Sequence, residues 1–443
     1  MKLFFIAQIT AFLLAIGLDF TIAAPASTHK ASSKVSKDAS DSPKMVFAHF
    51  MVGIVASYQA ADWANDISLA SASGIDGFAL NIGADSYTET QLTLAYNAAA
   101  SKNFKLFISF DMTSITDPTR ISNIIKTYTS QSAQFKVDGK PFVSTFVGYG
   151  TVDWSSIESS SGVQLYLVPN WQANQIQGDS TISGAFSWIA WPSTNNQPID
   201  SNMTTASDEA YISALAGKAY MAPVSPWFFT HYGVNSWNKN WIFYSDYLWF
   251  QRWEQILQLK PDFVEIITWN DFSESHYIGP LHPDNPSVYA GDPNTGAVEW
   301  VTGMPHDGWR DVAKAYITAY KNGASSPTVT KDEIVYYYRT IPKGTTCSDS
   351  VPQPTGYQYD EDNVYAITML TSPGTLTITS GSKAAVKYSV PAGISLWSAP
   401  MGVGTQTFAL QRNGATVLSG SGSKQISNTC TVYNFNAFVG TVM

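Results

Sequence analysis

The chain has 443 residues, of which 13% are charged and 14% aromatic, with 14 Trp, 23 Tyr and a formal net charge of −9. That length fits one large domain plus a smaller one. The acidic balance argues against nucleic acid, whose phosphates call for a basic surface, and against an acidic polymer as ligand. Average chains carry about twice this charged fraction. A sparsely charged, aromatic-rich surface suits stacking on neutral rings, although filling a large core is the plainer use for most of these aromatics.

Lys2 precedes an apolar run over 3–18, and the small residues of Thr21-Ile22-Ala23-Ala24-Pro25-Ala26 follow. A short basic region, an apolar stretch and a small-residue exit make a secretory signal peptide. It is expected over 1–24, with cleavage between Ala23 and Ala26 and an extracellular or cell-wall destination. Residues 27–44 are rich in Ser, Lys, Ala and Asp without apolar period and read as a disordered spacer. No later stretch has the length and apolarity of a membrane span, so no membrane association is expected after signal removal.

From Met45 short apolar runs alternate with longer amphipathic stretches. Strands are expected at 46–52, 77–82, 105–111, 142–149, 164–170, 185–191, 219–227 and 263–270. Helices are expected at 62–73, 88–102, 120–130, 208–216, 246–259 and 307–321, with Asp62 and Thr88 as starts and Gly74 as a stop. About eight near-continuously apolar strands interleaved with helices indicate a parallel sheet covered on both faces. The count and length are those of a (β/α)₈ TIM barrel over 45–325. A doubly wound open sheet would carry a Gly-rich turn after its first strand, and His49-Phe50-Met51-Val52-Gly53 is no such turn.

Beyond Ser326 the texture changes. The runs 333–339, 364–370, 375–379 and 407–411 are separated by Gly, Ser and Pro turns, with no helical period, so 326–443 reads as an all-β sandwich domain. The two cysteines, Cys347 and Cys430, sit in this part. In an oxidising compartment they read as one disulfide, a metal site needing more ligands. Asn202-Met203-Thr204 is a glycosylation sequon.

In a barrel of this type the active site lies at the carboxyl ends of the strands. The polar and aromatic residues expected there are His49, Asn81, Asp111, Trp171, Trp188, Trp227, Trp269 and Asn270. Amides and acids would bond hydroxyls and indoles would stack, so these are the candidate sugar-binding residues. For Asp111 a turn-capping role is the other reading, for His49 a satisfied core histidine, and for the tryptophans packing in the core. After the last apolar strand the chain turns polar at Trp269-Asn270-Asp271-Phe272-Ser273-Glu274. Asp271 and Glu274, three apart, are the candidate catalytic pair: glycosidic cleavage needs one protonated and one ionised carboxyl in a single cleft. On spacing alone, a capping Asp271 and a solvated Glu274 stand equally. His231, His276, His282 and His306 lack zinc spacing and read as structural or rim residues. The Asp284-Asn285-Pro286 and Asp292-Pro293-Asn294 runs read as a loop rather than a calcium site. No metal and no cofactor are expected.

The segment Trp269-Asn270-Asp271-Phe272-Ser273-Glu274-Ser275 resembles the Trp-Asn-Asp/Glu-x-x-Glu signature of the fungal α-1,3-glucanases (mutanases) of glycoside hydrolase family 71. Val46-Phe47-Ala48-His49-Phe50-Met51-Val52-Gly53, Gly74-Ile75-Asp76-Gly77-Phe78-Ala79-Leu80-Asn81-Ile82-Gly83 and Phe107-Ile108-Ser109-Phe110-Asp111-Met112 resemble other parts of that domain, in order. The resemblance implies endo-hydrolysis of a neutral cell-wall α-1,3-glucan with inversion, on a barrel joined to a β-sandwich. Similar segments in the related endo-α-mannosidases imply Glu274 as general acid and Asp271 as general base. A hydrolase of another neutral glycan such as α-mannan, and a catalytically silent glycan-binding wall protein, are the competing readings. A monomer is expected, with the polysaccharide as its partner.

Overall fold

Apolar runs too long to leave one face in water become strands buried on both sides. The computed structural model describes residues 44–290 and 297–443. The expected signal peptide, all but the last residue of the spacer, and Asp292, Pro293 and Asn294 lie outside the described residues.

Strands β1 (Met45–Met51), β2 (Gly77–Ile82), β3 (Lys105–Asp111), β4 (Lys140–Phe146) and β5 (Tyr166–Asn170) follow one another with helices between. These helices are α1 (Ala60–Ala72), α2 (Thr88–Ala100), α3 (Pro118–Tyr128) and α4 (Trp154–Ser161). Then come β6 (Gly184–Phe186), α5 (Ala206–Leu215), β7 (Ala219–Val224), α6 (Leu248–Leu259), β8 (Phe263–Ile266) and α7 (Asp307–Lys321). The helix starts carry local reasons. Gln59 and Asp62 form a reciprocal capping box ahead of α1, and Asp117 and Asp153 accept backbone N–H bonds ahead of α3 and α4.

The strand order is β5-β4-β3-β2-β1-β8-β7-β6. Of the nine strands in this sheet only the two-residue Lys136–Val137 pairs antiparallel, and the other eight run parallel. The outermost strands β5 and β6 are themselves linked: Ser183 N donates to Leu167 O at 2.8 Å, and Asn170 Nδ2 donates to Phe186 O at 3.0 Å. The sheet is therefore curled. Its inside is filled by Phe47, Phe107, Phe142, Phe186, Met221 and Phe263, with Phe47 edge-on to Phe107 at 4.9 Å. Alternate residues such as Phe50, Phe78 and Leu80 pack outward in the cluster that takes in the helices. Expected strands 185–191, 219–227 and 263–270 end early, at Phe186, Val224 and Ile266. Past those ends Trp191 packs on Phe228 and Phe243 and Trp227 on Tyr337, whereas Trp188 stays against His49 and Phe186, and Ile267 and Trp269 still bond Val224 and His49 across the parallel sheet.

Strands β9 (Glu333–Arg339), β10 (Asn363–Leu370), β11 (Gly374–Ser380), β12 (Val386–Val390), β13 (Gly393–Pro400), β14 (Gln406–Arg412), β15 (Ala415–Ser421) and β16 (Ala437–Val442) form two antiparallel sheets. Their orders are β13-β10-β9-β16 and β12-β11-β14-β15. All seven residues of β9 are buried, because its period of two faces two cores. Ile334, Tyr336 and Tyr338 join the cluster shared by the antiparallel sheets, whereas Val335 and Tyr337 join the cluster of the parallel sheet. Cys347 and Cys430 form the expected disulfide. Among the described residues no helix is long and apolar enough to cross a membrane.

Candidate active site

The chain leaves β8 in a tight return that carries the carboxylates. Ile267 N still bonds Val224 O at 2.8 Å and Trp269 N bonds His49 O at 2.7 Å, so the segment stays locked between β7 and β1. Thr268 N then pairs with His276 O at 2.9 Å and Gly279 N with Trp269 O at 2.7 Å, closing the base of the loop. Gly279 is required there, since a Cβ would lie 2.5 Å from Trp269 O. Asn270 clamps the end of β1: its Oδ1 accepts from Met51 N at 2.7 Å and its Nδ2 donates to Met51 O at 3.2 Å.

This loop holds Asp271, Glu274 and His276 together, with ligand atoms within 4.8 Å of one another. His276 Nε2 lies 3.1 Å from Glu274 Oε2 and 3.8 Å from Asp271 Oδ2. An unprotonated ring nitrogen would repel two carboxylates, so Nε2 carries the hydrogen and donates. Thr268 Oγ1, which accepts from Asp271 N at 2.8 Å, stands 3.1 Å from His276 Nδ1. The second Glu274 oxygen, Oε1, accepts from Lys239 Nζ at 3.2 Å. Asp271 Oδ1 accepts from Ser273 Oγ at 2.9 Å and Glu274 N at 3.2 Å, so Asp271 does cap the turn while its Oδ2 faces His276. The two carboxylates retain 15% and 18% of their exposure.

Their charges separate. Burial pushes the Asp271 carboxyl above its ordinary value, against the pull of His276. Burial also acts on Glu274, but the hydrogen bond from His276 and the Lys239 ammonium outweigh it and hold that carboxyl at about 2. The three clustered groups are the ones among the described residues that could hold a cation, and Lys239 brings a positive charge to the other oxygen of Glu274, Oε1.

A second polar pair lies inside the sheet. His49 Nδ1 is 2.6 Å from Glu265 Oε1, both residues are buried, and neither His49 Nε2 nor Glu265 Oε2 has a partner among the described residues. Trp188, half-buried, stands edge-on to His49 at 4.8 Å and to Phe146 at 5.1 Å. Asn81, one residue before the end of β2, lies beside Met51 and Ser109 in the ladder. Asp111 Oδ1 accepts from Thr113 N and Oγ1 at 2.9 and 2.7 Å, a turn cap at the end of β3. Trp171 is buried with Tyr149 edge-on at 5.2 Å.

Three of the expected sugar-binding residues are occupied elsewhere. Trp227 is buried and donates to Phe435 O at 3.0 Å, joining the parallel sheet to the C-terminal part. Trp269 is fully buried against Phe78, at 5.2 Å between rings. Asn270 spends its amide on Met51, as above. Of the histidines, His231 bonds Asn240 and Asp349, His282 bonds Tyr58, and His306 bonds Tyr277 and Ala437 backbone. Asn202 of the sequon is exposed just ahead of α5. Sequence reasoning read His276 as a structural or rim residue, whereas it contacts Glu274, and passed over Lys239 altogether. The signal for His276 was its place two residues beyond Glu274; for Lys239 there was none, since it arrives from a separate hairpin.

Two carboxylates of opposite protonation preference at the carboxyl edge of a parallel sheet are the equipment of glycosidic hydrolysis. Residues 42–443 match Glycosyl hydrolase family 71, and the chain belongs to that family of glycoside hydrolases. A mutanase of Penicillium rubens is 48% identical over 417 residues, covering 92% of this chain and 91% of that one. A glucan endo-1,3-alpha-glucosidase of Schizosaccharomyces pombe is 38% identical over 421 residues, covering 90% and 95%. The ascus wall endo-1,3-alpha-glucanase of the same yeast is 32% identical over 430 residues, covering 89% and 96%.

Proposed function

We propose that this chain is a secreted, monomeric endo-hydrolase of the (1→3)-α-D-glucosidic bonds of cell-wall α-1,3-glucan, with Asp271 and Glu274 as its catalytic carboxylates. The observation that carries the reading is this pair at the end of β8 in a chain that matches family 71 over 42–443. The names of the three relatives support the substrate. We read the eight parallel strands as a (β/α)₈ barrel over 45–325, closed where Ser183 meets Leu167, with a β-sandwich over 326–443. His49, Asn81, Asp111, Trp171 and Trp188 remain the candidates for contact with sugar.

One carboxyl protonates the departing glycosidic oxygen while the other activates water. The charge balance of the free site favours the proton on Asp271 and the charge on Glu274. This supports Asp271 as acid and Glu274 as base, the reverse of what the resemblance to endo-α-mannosidases suggests. Inversion uses carboxyls ~6.5–9.5 Å apart, wider than a pair with oxygens within 4.8 Å of each other. An inverting reaction therefore requires substrate and water to spread the pair off His276.

NMR of the first products from purified α-1,3-glucan tests substrate and stereochemistry together. New reducing ends in the β configuration are expected from α-1,3-glucan, and none from α-mannan. Failure of the parent enzyme to release reducing ends from α-1,3-glucan overturns the reading.

A further inference from the structure

Lys239 reaches Glu274 from the tip of a β-hairpin, and that tip carries a tryptophan held out in solvent. Trp237 is 57% exposed, whereas Trp188, Trp241 and Trp397 are half-buried and the other tryptophans are buried. An indole gains by covering its large apolar face, and this one has no stacking partner among the described residues.

The backbone that carries that ring is fixed. Strand Phe229–His231 pairs antiparallel with Asn240–Ile242. Tyr232 N donates to Lys239 O at 2.6 Å, and the N–H groups of Ser236 and Asn238 both donate to Gly233 O, at 3.0 and 3.1 Å. The base is fixed from outside as well. Phe229 N donates to Glu274 O at 3.0 Å, His231 Nε2 lies 2.9 Å from Asp349 Oδ2, and Asn240 Nδ2 donates to Pro352 O at 2.8 Å. Trp237 thus stands on a pre-formed turn, two residues from the lysine whose Nζ is 3.2 Å from Glu274. Two residues span at most ~7 Å of chain, which sets the indole within a few sugar rings of the carboxylate.

We propose that Trp237 is a glycan-binding residue, a platform at the cleft rim on which a glucose ring of the polymer, beyond the bond being cut, stacks its CH face. This rests on the reading of Asp271 and Glu274 as the hydrolytic pair. The chemistry is that of a neutral ligand: the negative face of the π-system meets the polarised CH groups of a pyranose, and no ionic partner is required. The pre-formed turn means little ordering entropy is lost when the ring is covered.

The test is acrylamide quenching of tryptophan fluorescence in the full chain, with and without a soluble α-1,3-linked glucooligosaccharide, joined to KM on α-1,3-glucan. In the wild type the oligosaccharide should shield the quencher-accessible emission, and W237F should lack that emission. W237A should raise KM about tenfold, as loss of one stacked ring does, with W237F intermediate and Val234→Ser, on the same tip, like the wild type. A wild type that cleaves the glucan while neither quenching nor KM depends on Trp237 overturns this proposal alone. So does a W237A that loses kcat at constant KM, or a Val234→Ser that behaves like W237A. Shielding at Trp237 in a chain that cleaves no α-1,3-glucan supports the binding residue and overturns the hydrolytic reading. Absence of both cleavage and shielding overturns the two together.

Discussion

Replacing Glu274 with Gln keeps the side chain's shape and removes its charge. In the folded protein both oxygens are engaged, Oε2 by His276 at 3.1 Å and Oε1 by Lys239 at 3.2 Å. The carboxyl sits at about 2, against an ordinary value of 4.5. That gap, at about 1.4 kcal/mol per tenfold in proton affinity, is on the order of 3 kcal/mol of stability at pH 6. A group with a depressed folded value contributes stability that is present above its ordinary value and lost as pH falls through the folded one. Removing the charge also relieves Asp271, whose proton affinity Glu274 raises, and this offsets part of the loss. E274Q should therefore be less stable than the wild type by about 2–3 kcal/mol at pH 6 and by only about 1 kcal/mol near pH 3. Urea denaturation at a series of pH values reads this directly. A wild-type-minus-variant difference that stays flat between pH 6 and pH 3 refutes the assignment of His276 and Lys239 as the groups that keep Glu274 ionised. High salt should trim only the Lys239 share, because that ammonium is 46% exposed whereas His276 is buried.

Asp271→Asn should act in the opposite sense. Burial raises the Asp271 carboxyl, so its contribution is fully present below the ordinary carboxylate value and is lost as pH rises through the folded one. The variant, which never charges, should melt above the wild type at pH 7, level with it near pH 3, and cleave α-1,3-glucan at least about a thousandfold more slowly. Trp227→Ala should cost about 3–5 kcal/mol of stability in urea. KM should not move, since the indole joins the two parts of the chain through Phe435; a raised KM with unchanged stability would return Trp227 to the cleft. Replacing Cys347 and Cys430 together with Ser opens a closure spanning 83 residues of sequence, and should lower stability by about 4 kcal/mol through the greater freedom of the unfolded chain. An unchanged urea midpoint would show that the bridge adds nothing.

The strands and helices were legible because their signals are local. An apolar run of strand length between a glycine stop and an aspartate start needs no tertiary knowledge, and β2, β3 and α7 lie where their patterns put them. The parallel run of the strands followed from their alternation with helices. Strand ends were harder. Residues 187–191 and 267–270 are as apolar or aromatic as the strands before them, yet Ile267 and Trp269 keep single bonds to Val224 and His49 while Trp191 is covered by Phe228 and Phe243, and burial alone does not say where a ladder ends or which surface covers a residue. The run Tyr336-Tyr337-Tyr338 shows the same ambiguity inside a strand. It reads as generic β sequence, yet Tyr337 belongs to one core and its two neighbours to another.

The candidate site divides along the same line. Asp271 and Glu274 could be found from one segment because a single closed loop carries both. Asn270, Trp269 and Trp227 pointed to the cleft by position, but a strand-end side chain can turn back to satisfy its neighbours, as the Asn270 amide does with Met51. The protonation of the pair could not be read at all from the segment. Spacing makes the two acids equivalent, and only the geometry distinguishes them: His276 stands nearer Glu274, at 3.1 Å against 3.8 Å for Asp271, and Lys239 adds its charge to Glu274 from a hairpin that comes 35 residues earlier. On the proposed reading, acid and base are set less by the motif than by what folds against it, and a relative with the same motif and a different hairpin tip need not share the same assignment.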